Sequence, residues 1–356
     1  MTAVSKISRG QLVALLLAGR LSGCLLFSSD SFEQFTLTEC FLSMLLDGGL
    51  LLLLLLPTLL VLRHLEEGTT ERAYRLSKTA GVVVESLYIP LCLFVLLLDM
   101  VQFSDFASDT TVSGLSVPML TVVFVVVCVL ASFYGVQALA RSATVVAVFS
   151  VLCLAAFLLA LVPEMRWIHV PPPQGDSVQR IVAKAITDLP RTAEVTAIGL
   201  LYPYVNGSRT KACVGFAGAT TVLSTAVSVA SVAVLGDFSG MTAYPFYTAV
   251  TAARIGVFQR LDILVIAVWM GTFFIRVTLF CMLFVDRARH LFGKRAAVLS
   301  AAVLAVLLSG AALWIQNGSY QGEWAWATHV YWWVLGGSCI VLPLLLWIGG
   351  KRREKG

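Results

Sequence analysis

The sequence predicts an all-α integral membrane protein of roughly ten transmembrane helices, two of them interrupted, and three observations lead there. Of 356 residues, 58% are hydrophobic and 13% charged, whereas soluble domains carry about 25% charged residues. Ten apolar runs follow one another with mostly short connections, which leaves no room for a sizeable soluble domain. Two of those runs are broken at corresponding places in the two halves of the chain, the sequence pointer to a transporter-type binding site.

Taken in order, the expected spans lie at about 10–28, 38–62, 80–103, 117–137, 142–162, 193–206, 212–235, 261–285, 296–315 and 329–349. The first, QLVALLLAGRLSGCLLF, carries Gly19, Arg20, Ser22 and Gly23 in its middle. Its Leu21-Ser22-Gly23-Cys24 box has the outline of a lipoprotein signal, but Arg20 interrupts the apolar core such a signal needs, so a retained first helix is expected. The sixth run opens with Glu194, carries Gly199 and Pro203 and ends at Asn206-Gly207, well short of the ~20 residues of a span. Backbone that is not helical at membrane depth survives only where protein or a water-filled cavity satisfies it, so a broken segment is a candidate site.

The loops supply orientation. Arg63, Arg72, Arg75, Lys78, Arg141, Arg209, Lys211, Arg287, Arg289, Lys294 and Arg295 fall in one set of loops with both chain ends, and the opposite set holds basic residues only in its two longest members. That asymmetry predicts cytoplasmic termini and an even number of spans. The external loop 163–189 opens with Trp167 and a triple proline and continues as SVQRIVAKAITDL, expected as an amphipathic helix lying on the surface. A second external stretch, 236–260, has the length to fold back over the outer mouth, and Trp324, Trp326, Tyr331, Trp332 and Trp333 form an interfacial belt before the last span.

Function classes narrow accordingly. The net charge of +5 is explained by topology-setting loops, so no nucleic-acid partner is expected. Eight cysteines occur singly without a C-x-x-C pair and read as small packing residues. Four histidines lack ligand spacing, and no nucleophile elbow, P-loop or paired-carboxylate motif is present, so neither an enzyme nor a metal or cofactor site is expected.

Arg20, Glu85, Glu194 and Arg276 lie well inside apolar runs, with Asp47 and Asp99 nearer the ends of theirs. At about 2.5 kcal/mol or more each at a helix centre, such residues face the interior and pair. Either they surround a site or they are structural ion pairs that lock helices together. The glycines and proline of the broken segments suit a ligand with both charges: free N–H groups and a positive dipole end at half-helix N-termini for a carboxylate, released carbonyls and Glu194 for an ammonium. Glu194 is expected either to meet that ammonium or to pair with Arg20 in the empty site. The alternative for Gly19, Gly23 and Gly199 is close helix packing.

KISRGQLVALLLAGRLSG, AEVTAIGLLYPYVNGSRTK, ARIGVFQRLDILVIAVWMGTFFIRVTLF and GGSCIVLPLLLWIGGKRREK together resemble the endospore germination permeases, the GerAB-type B subunits of nutrient germinant receptors. The resemblance implies an amino-acid/polyamine/organocation (LeuT/APC-like) fold of five plus five spans in inverted repeat, with the first and sixth unwound. It implies one transmembrane domain over 1–356, with repeats at about 8–162 and 190–349. It further implies a small amino-acid-like germinant bound among Gly19, Arg20, Ser22, Gly23, Glu85, Glu194, Gly199, Tyr202, Pro203, Arg276 and Thr278. The implied partners are an A subunit and a lipoprotein C subunit in the spore inner membrane, and the alternative is a proton-coupled amino-acid transporter without them. Arg276 stands where that family usually has Lys, and Gln259 where an acid often precedes Arg260.

Overall fold

The computed structural model describes residues 6–25, 36–63, 68–110, 116–165, 177–189, 192–253, 261–316, 332–333 and 335–354. The triple proline and most of the aromatic belt lie outside the described residues. Strand β1 (Ile7–Ser8) leads into α1 (Arg9–Leu25), followed by α2 (Leu37–Arg63), α3 (Thr69–Leu76), α4 (Lys78–Thr110), α5 (Val117–Ser132) and α6 (Gly135–Leu161). The second half holds α7 (Ser177–Asp188), α8 (Glu194–Leu201), β2 (Val205–Asn206), α9 (Arg209–Leu235), α10 (Pro245–Ala252), α11 (Asp262–Phe292) and α12 (Lys294–Gln316). It closes with α13 (Leu342–Glu354), entered through a π-helical turn at Gly336–Val341. Among the described residues, six helices are long and apolar enough to cross a membrane, and two shorter apolar segments, Val117–Ser132 and Gly336–Ile348, add to them.

Two groups of helices stand out. α4, α5, α11 and α12 pack on one another, while α2 packs on α7 and α9, and α9 on α1; α6 touches both α1 and α11. α11 is the central column: 61% of its apolar window is buried, against 28–44% in the other five long helices. α1 lies against it with twelve of its seventeen residues buried, including Arg20. α2 and α9 approach closely at Gly48, where a methyl would collide with Thr221.

The opening Ser-x-x-Gln of α1 is a reciprocal cap: Gln11 N–H donates to Ser8 Oγ (3.2 Å) and Ser8 N–H to Gln11 Oε1 (2.8 Å). Just before it, β1 pairs in parallel with β2, Ile7 with Val205 and Ser8 with Asn206. The far end of the α8 segment is thereby fastened to the start of α1. After β2 the chain turns through Gly207 at φ +90, a left-handed conformation that favours glycine.

The interruptions differ from the expectation. α1 is helical straight through Gly19–Gly23, and α8 straight through Gly199. The breaks lie instead on either side of α8: before Glu194, where α7 ends at Asp188, and after Leu201, where Tyr202–Tyr204 tightens into a 3-10 turn. A glycine costs a helix about 1 kcal/mol, which packing readily outweighs, whereas Pro203 forces the change of backbone. α7 is likewise not a surface helix throughout. Lys184 and Asp188 on it are fully enclosed, 2.7 Å apart, and its buried face packs on α2.

Candidate functional site

A charged layer sits where α1, α2, α4, α8 and α11 converge. Arg276 of α11 donates from Nε to both oxygens of Asp99 on α4 (2.9 and 3.0 Å) and from Nη1 to Glu194 Oε1 at the first turn of α8. This one guanidinium therefore joins the α4–α11 group to α8. Gly19 makes room for it. A methyl there would stand 3.0 Å from Glu194 Cγ and 3.3 Å from Oε1, so the glutamate lies flat against α1.

Next to Gly19, Arg20 is 1% exposed and 3.6 Å from Asp47 Oδ2, too far for a hydrogen bond. None of its three guanidinium nitrogens makes a hydrogen bond among the described residues, nor does Asp47 Oδ1 or Glu194 Oε2. Asp47, Glu194 and Asp188 all lie close enough to act on it electrostatically. Leaving a buried charged donor unsatisfied costs about 1–3 kcal/mol or more, so orphaned atoms of opposite charge side by side mark a place built for something else. One turn along α1, Gly23 is buried, yet no described atom comes within 4 Å of where its methyl would be.

A second charged cluster lies about 16 Å further along α11, eleven residues and three turns on, on the same helix face. Arg287 Nη1 donates to Glu85 Oε1 of α4 (3.3 Å) and Thr70 Oγ1 of α3 (3.1 Å), and Nη2 to Asp286 Oδ2 (2.5 Å). Tyr74 OH donates to Glu85 Oε2 (2.8 Å), and Tyr204 OH to Asp286 (3.4 Å). Partial burial and the bond to Glu85 push the Tyr74 phenol above its ordinary value. This cluster closes the face that carries the N-terminus. At the other end, Phe106 meets Tyr244 and Tyr247 edge-on at 5.0 and 5.9 Å, which seats the segment before and into α10 on the end of α4.

Of the sequence-predicted residues, Gly19, Arg20, Gly23, Glu194 and Arg276 come together, with Ser22 beside them donating to its own helix at Gly19 O (2.6 Å). Arg20 and Glu194 do not pair with each other; each has its own partner. Glu85 belongs to the second cluster, about 21 Å from Asp99 along α4. Gly199 packs against Thr69 and Tyr88, Pro203 against Gly68, and Tyr202 lies under the Arg209 guanidinium at 4.5 Å, so these three hold α8 to its neighbours. Thr278 is buried toward Cys128 of α5, two residues round from Arg276. Asp286 and Arg287 escaped the sequence reading because they lie past the expected end of the eighth span at 285, and Lys184 and Asp188 because their segment is expected on the surface. The eleven-residue spacing of Arg276 and Arg287 is the signal that would have found the former pair.

All eight cysteines are free and buried, and no cluster able to hold a metal occurs among the described residues. No curated protein gives a significant match. Among solved structures the chain is similar to Mhp1, a nucleobase-cation-symport-1 family transporter, in a closed conformation with bromovinylhydantoin bound. That likeness has a TM-score of 0.68 and 14% identity over 96% of this chain and 78% of Mhp1, and it shows that the chain shares that transporter's fold. A sequence model described as spore germination protein matches residues 6–317. With nearly the whole chain matched and the fold in agreement, this protein belongs to the spore germination permease family.

Proposed function

We propose that the chain is the membrane subunit of a spore nutrient-germinant receptor and that it binds a small amino-acid-like germinant in the layer between Arg20 and Glu194. The observation that carries this reading is the pair of groups orphaned among the described residues: three unbonded guanidinium nitrogens on Arg20 and one unbonded carboxylate oxygen on Glu194, with Gly19 beside both. A zwitterion answers both, its carboxylate on Arg20 and its ammonium on Glu194, with the side chain directed toward Gly23. The N-terminus of α8 adds a positive dipole end, which Glu194 partly neutralises.

In this reading the chain spans the spore inner membrane ten times, in two inverted repeats of five, with both termini cytoplasmic. α7 and α8 are then the two halves of one broken sixth span, interrupted before Glu194, and the first helix supplies its glycines as a docking surface. The Arg287–Glu85 cluster and the Phe106–Tyr244 contact are the inner and outer closures. An A subunit and a lipoprotein C subunit receive the signal. A second reading, a proton-coupled amino-acid transporter without partners, draws on the likeness to a transporter with a bound small ligand.

Purified protein in liposomes separates them. Saturable binding of one of the twenty amino acids without uptake under an imposed pH gradient supports the receptor; uptake driven by that gradient supports the transporter; no binding by any of them overturns both.

A further inference from the structure

The chain has two asparagines, and each is followed by glycine. Asn317-Gly318 lies outside the described residues. Asn206-Gly207 lies in the join that fastens the far end of the α8 segment to the start of α1, where β2 pairs with β1 over two residues only, Ile7 with Val205 and Ser8 with Asn206. The inner half of that join is well held: Ile7 and Val205 are 0% and 1% exposed, and the Val205 carbonyl accepts a hydrogen bond from Arg209 Nε (3.2 Å). Its outer half is not, since Ser8, Asn206 and Gly207 are all exposed.

An exposed asparagine before glycine reacts with its own backbone. Gly207 has no side chain to shield its nitrogen, and it sits just outside the strand at φ +90. Attack of that nitrogen on Asn206 Cγ forms an N–C bond and closes a five-membered succinimide. The Cγ–N bond of the carboxamide breaks, and ammonia leaves with the proton that the Gly207 nitrogen gives up. Water then opens the ring: addition at Cγ yields aspartate, and addition at the main-chain carbonyl yields isoaspartate, in which the backbone runs through Cβ and Cγ. Nothing is oxidised or reduced, and water is the only co-reactant. Extended backbone at Asn206 keeps the nitrogen away from Cγ, so the ring closes when the outer pair opens. A two-residue pairing at an exposed edge opens at little cost.

We propose that Asn206 is a site of spontaneous conversion to isoaspartate, and that this conversion unfastens the end of the α8 segment from α1. Isoaspartate adds one carbon to the main chain between positions 206 and 207. With only two pairs in the ladder, that extra atom destroys the register of Asn206 on Ser8. The aspartate product acts differently. It keeps the backbone length, and its charge falls three residues before Arg209 at the N-terminus of α9, where a negative group is favourable. The loosening therefore belongs to isoaspartate alone, and it accumulates with the age of each molecule.

The test needs no ligand. The full chain in nanodiscs is incubated at mildly alkaline pH beside the free peptide YPYVNGSRTK, residues 202–211. The tryptic fragment 192–209 of the wild type is expected to gain one mass unit at a rate within about tenfold of the peptide's, because the pairing opens so readily. An isoaspartyl methyltransferase with a labelled methyl donor should mark the same fragment, and amide hydrogen exchange at Ile7 and Ser8 should quicken in step. Asn206→Gln, whose longer side chain would have to close a six-membered ring, is expected to keep both its mass and its slow exchange, and freshly prepared Asn206→Asp its slow exchange. A wild-type fragment that stays unchanged while the peptide converts fully overturns the proposal. So does a gain in mass that leaves exchange at Ile7 and Ser8 unaltered, or exchange that quickens at the same pace in Asn206→Gln.

Discussion

The two charged clusters of this protein are built from the same side chains and finished differently. At the N-terminal face, both oxygens of Glu85 are engaged, and Arg287 reaches three partners with only Nε unbonded. In the middle layer, among the described residues, Arg20 has no hydrogen bond from any nitrogen, and Glu194 and Asp47 each keep an idle oxygen. Buried polar groups are nearly always satisfied, so the first cluster is closed on itself, while the second is the one the proposed function takes as the ligand site. Both are ion pairs inside a membrane protein; only the orphan count tells them apart.

The sharpest way to break that contrast is Arg276→Met. It strands Asp99 and Glu194 together, and removal of one partner from a buried pair costs about 3–5 kcal/mol. A thermal unfolding midpoint close to wild type in detergent would show that the layer is already neutral without its arginine. Next in size is Gly199→Ala, whose methyl would meet Thr69 Cγ2 at 3.0 Å and Oγ1 at 3.1 Å. Overpacking of this kind costs about 1–3 kcal/mol, read as a lowered midpoint with ligand affinity kept, because Gly199 belongs to the α3 junction. An affinity loss without destabilisation would return it to the site. The smallest effect belongs to Tyr74→Phe, which removes one hydrogen bond to Glu85 and about 0.5–1.5 kcal/mol. It should raise the labelling rate of a cysteine placed at Thr70 from the N-terminal face and leave amino-acid binding untouched.

Much of this was legible in the sequence. Composition and the spacing of apolar runs gave the helical membrane class, and a charge inside an apolar run pointed to Arg20, Glu85, Glu194 and Arg276 because hydrocarbon tolerates such residues only when they are paired. Pairing itself was not legible. Which acid meets which base depends on helix rotation and packing, so Arg20 joins Asp47, Arg276 takes both Asp99 and Glu194, and Glu85 goes to an arginine that reads as a loop residue. The glycines misled in a similar way: they mark close approach, as at Gly19 against Glu194, as readily as a break. α7 was misplaced because a 3.6-residue amphipathic pattern looks the same whether its polar face meets water or a buried lysine–aspartate pair.

The most direct test compares the two clusters by one chemical change. Equilibrium binding of the tightest binder from a panel of the twenty amino acids is measured on wild type, Glu194→Gln and Glu85→Gln in nanodiscs. The account predicts that Glu194→Gln weakens binding by about 1.5–3 kcal/mol, the worth of a charged hydrogen bond, while Glu85→Gln binds as wild type. Wild-type affinity in Glu194→Gln, or an equal loss in both variants, would contradict the assignment of the middle layer as the ligand site.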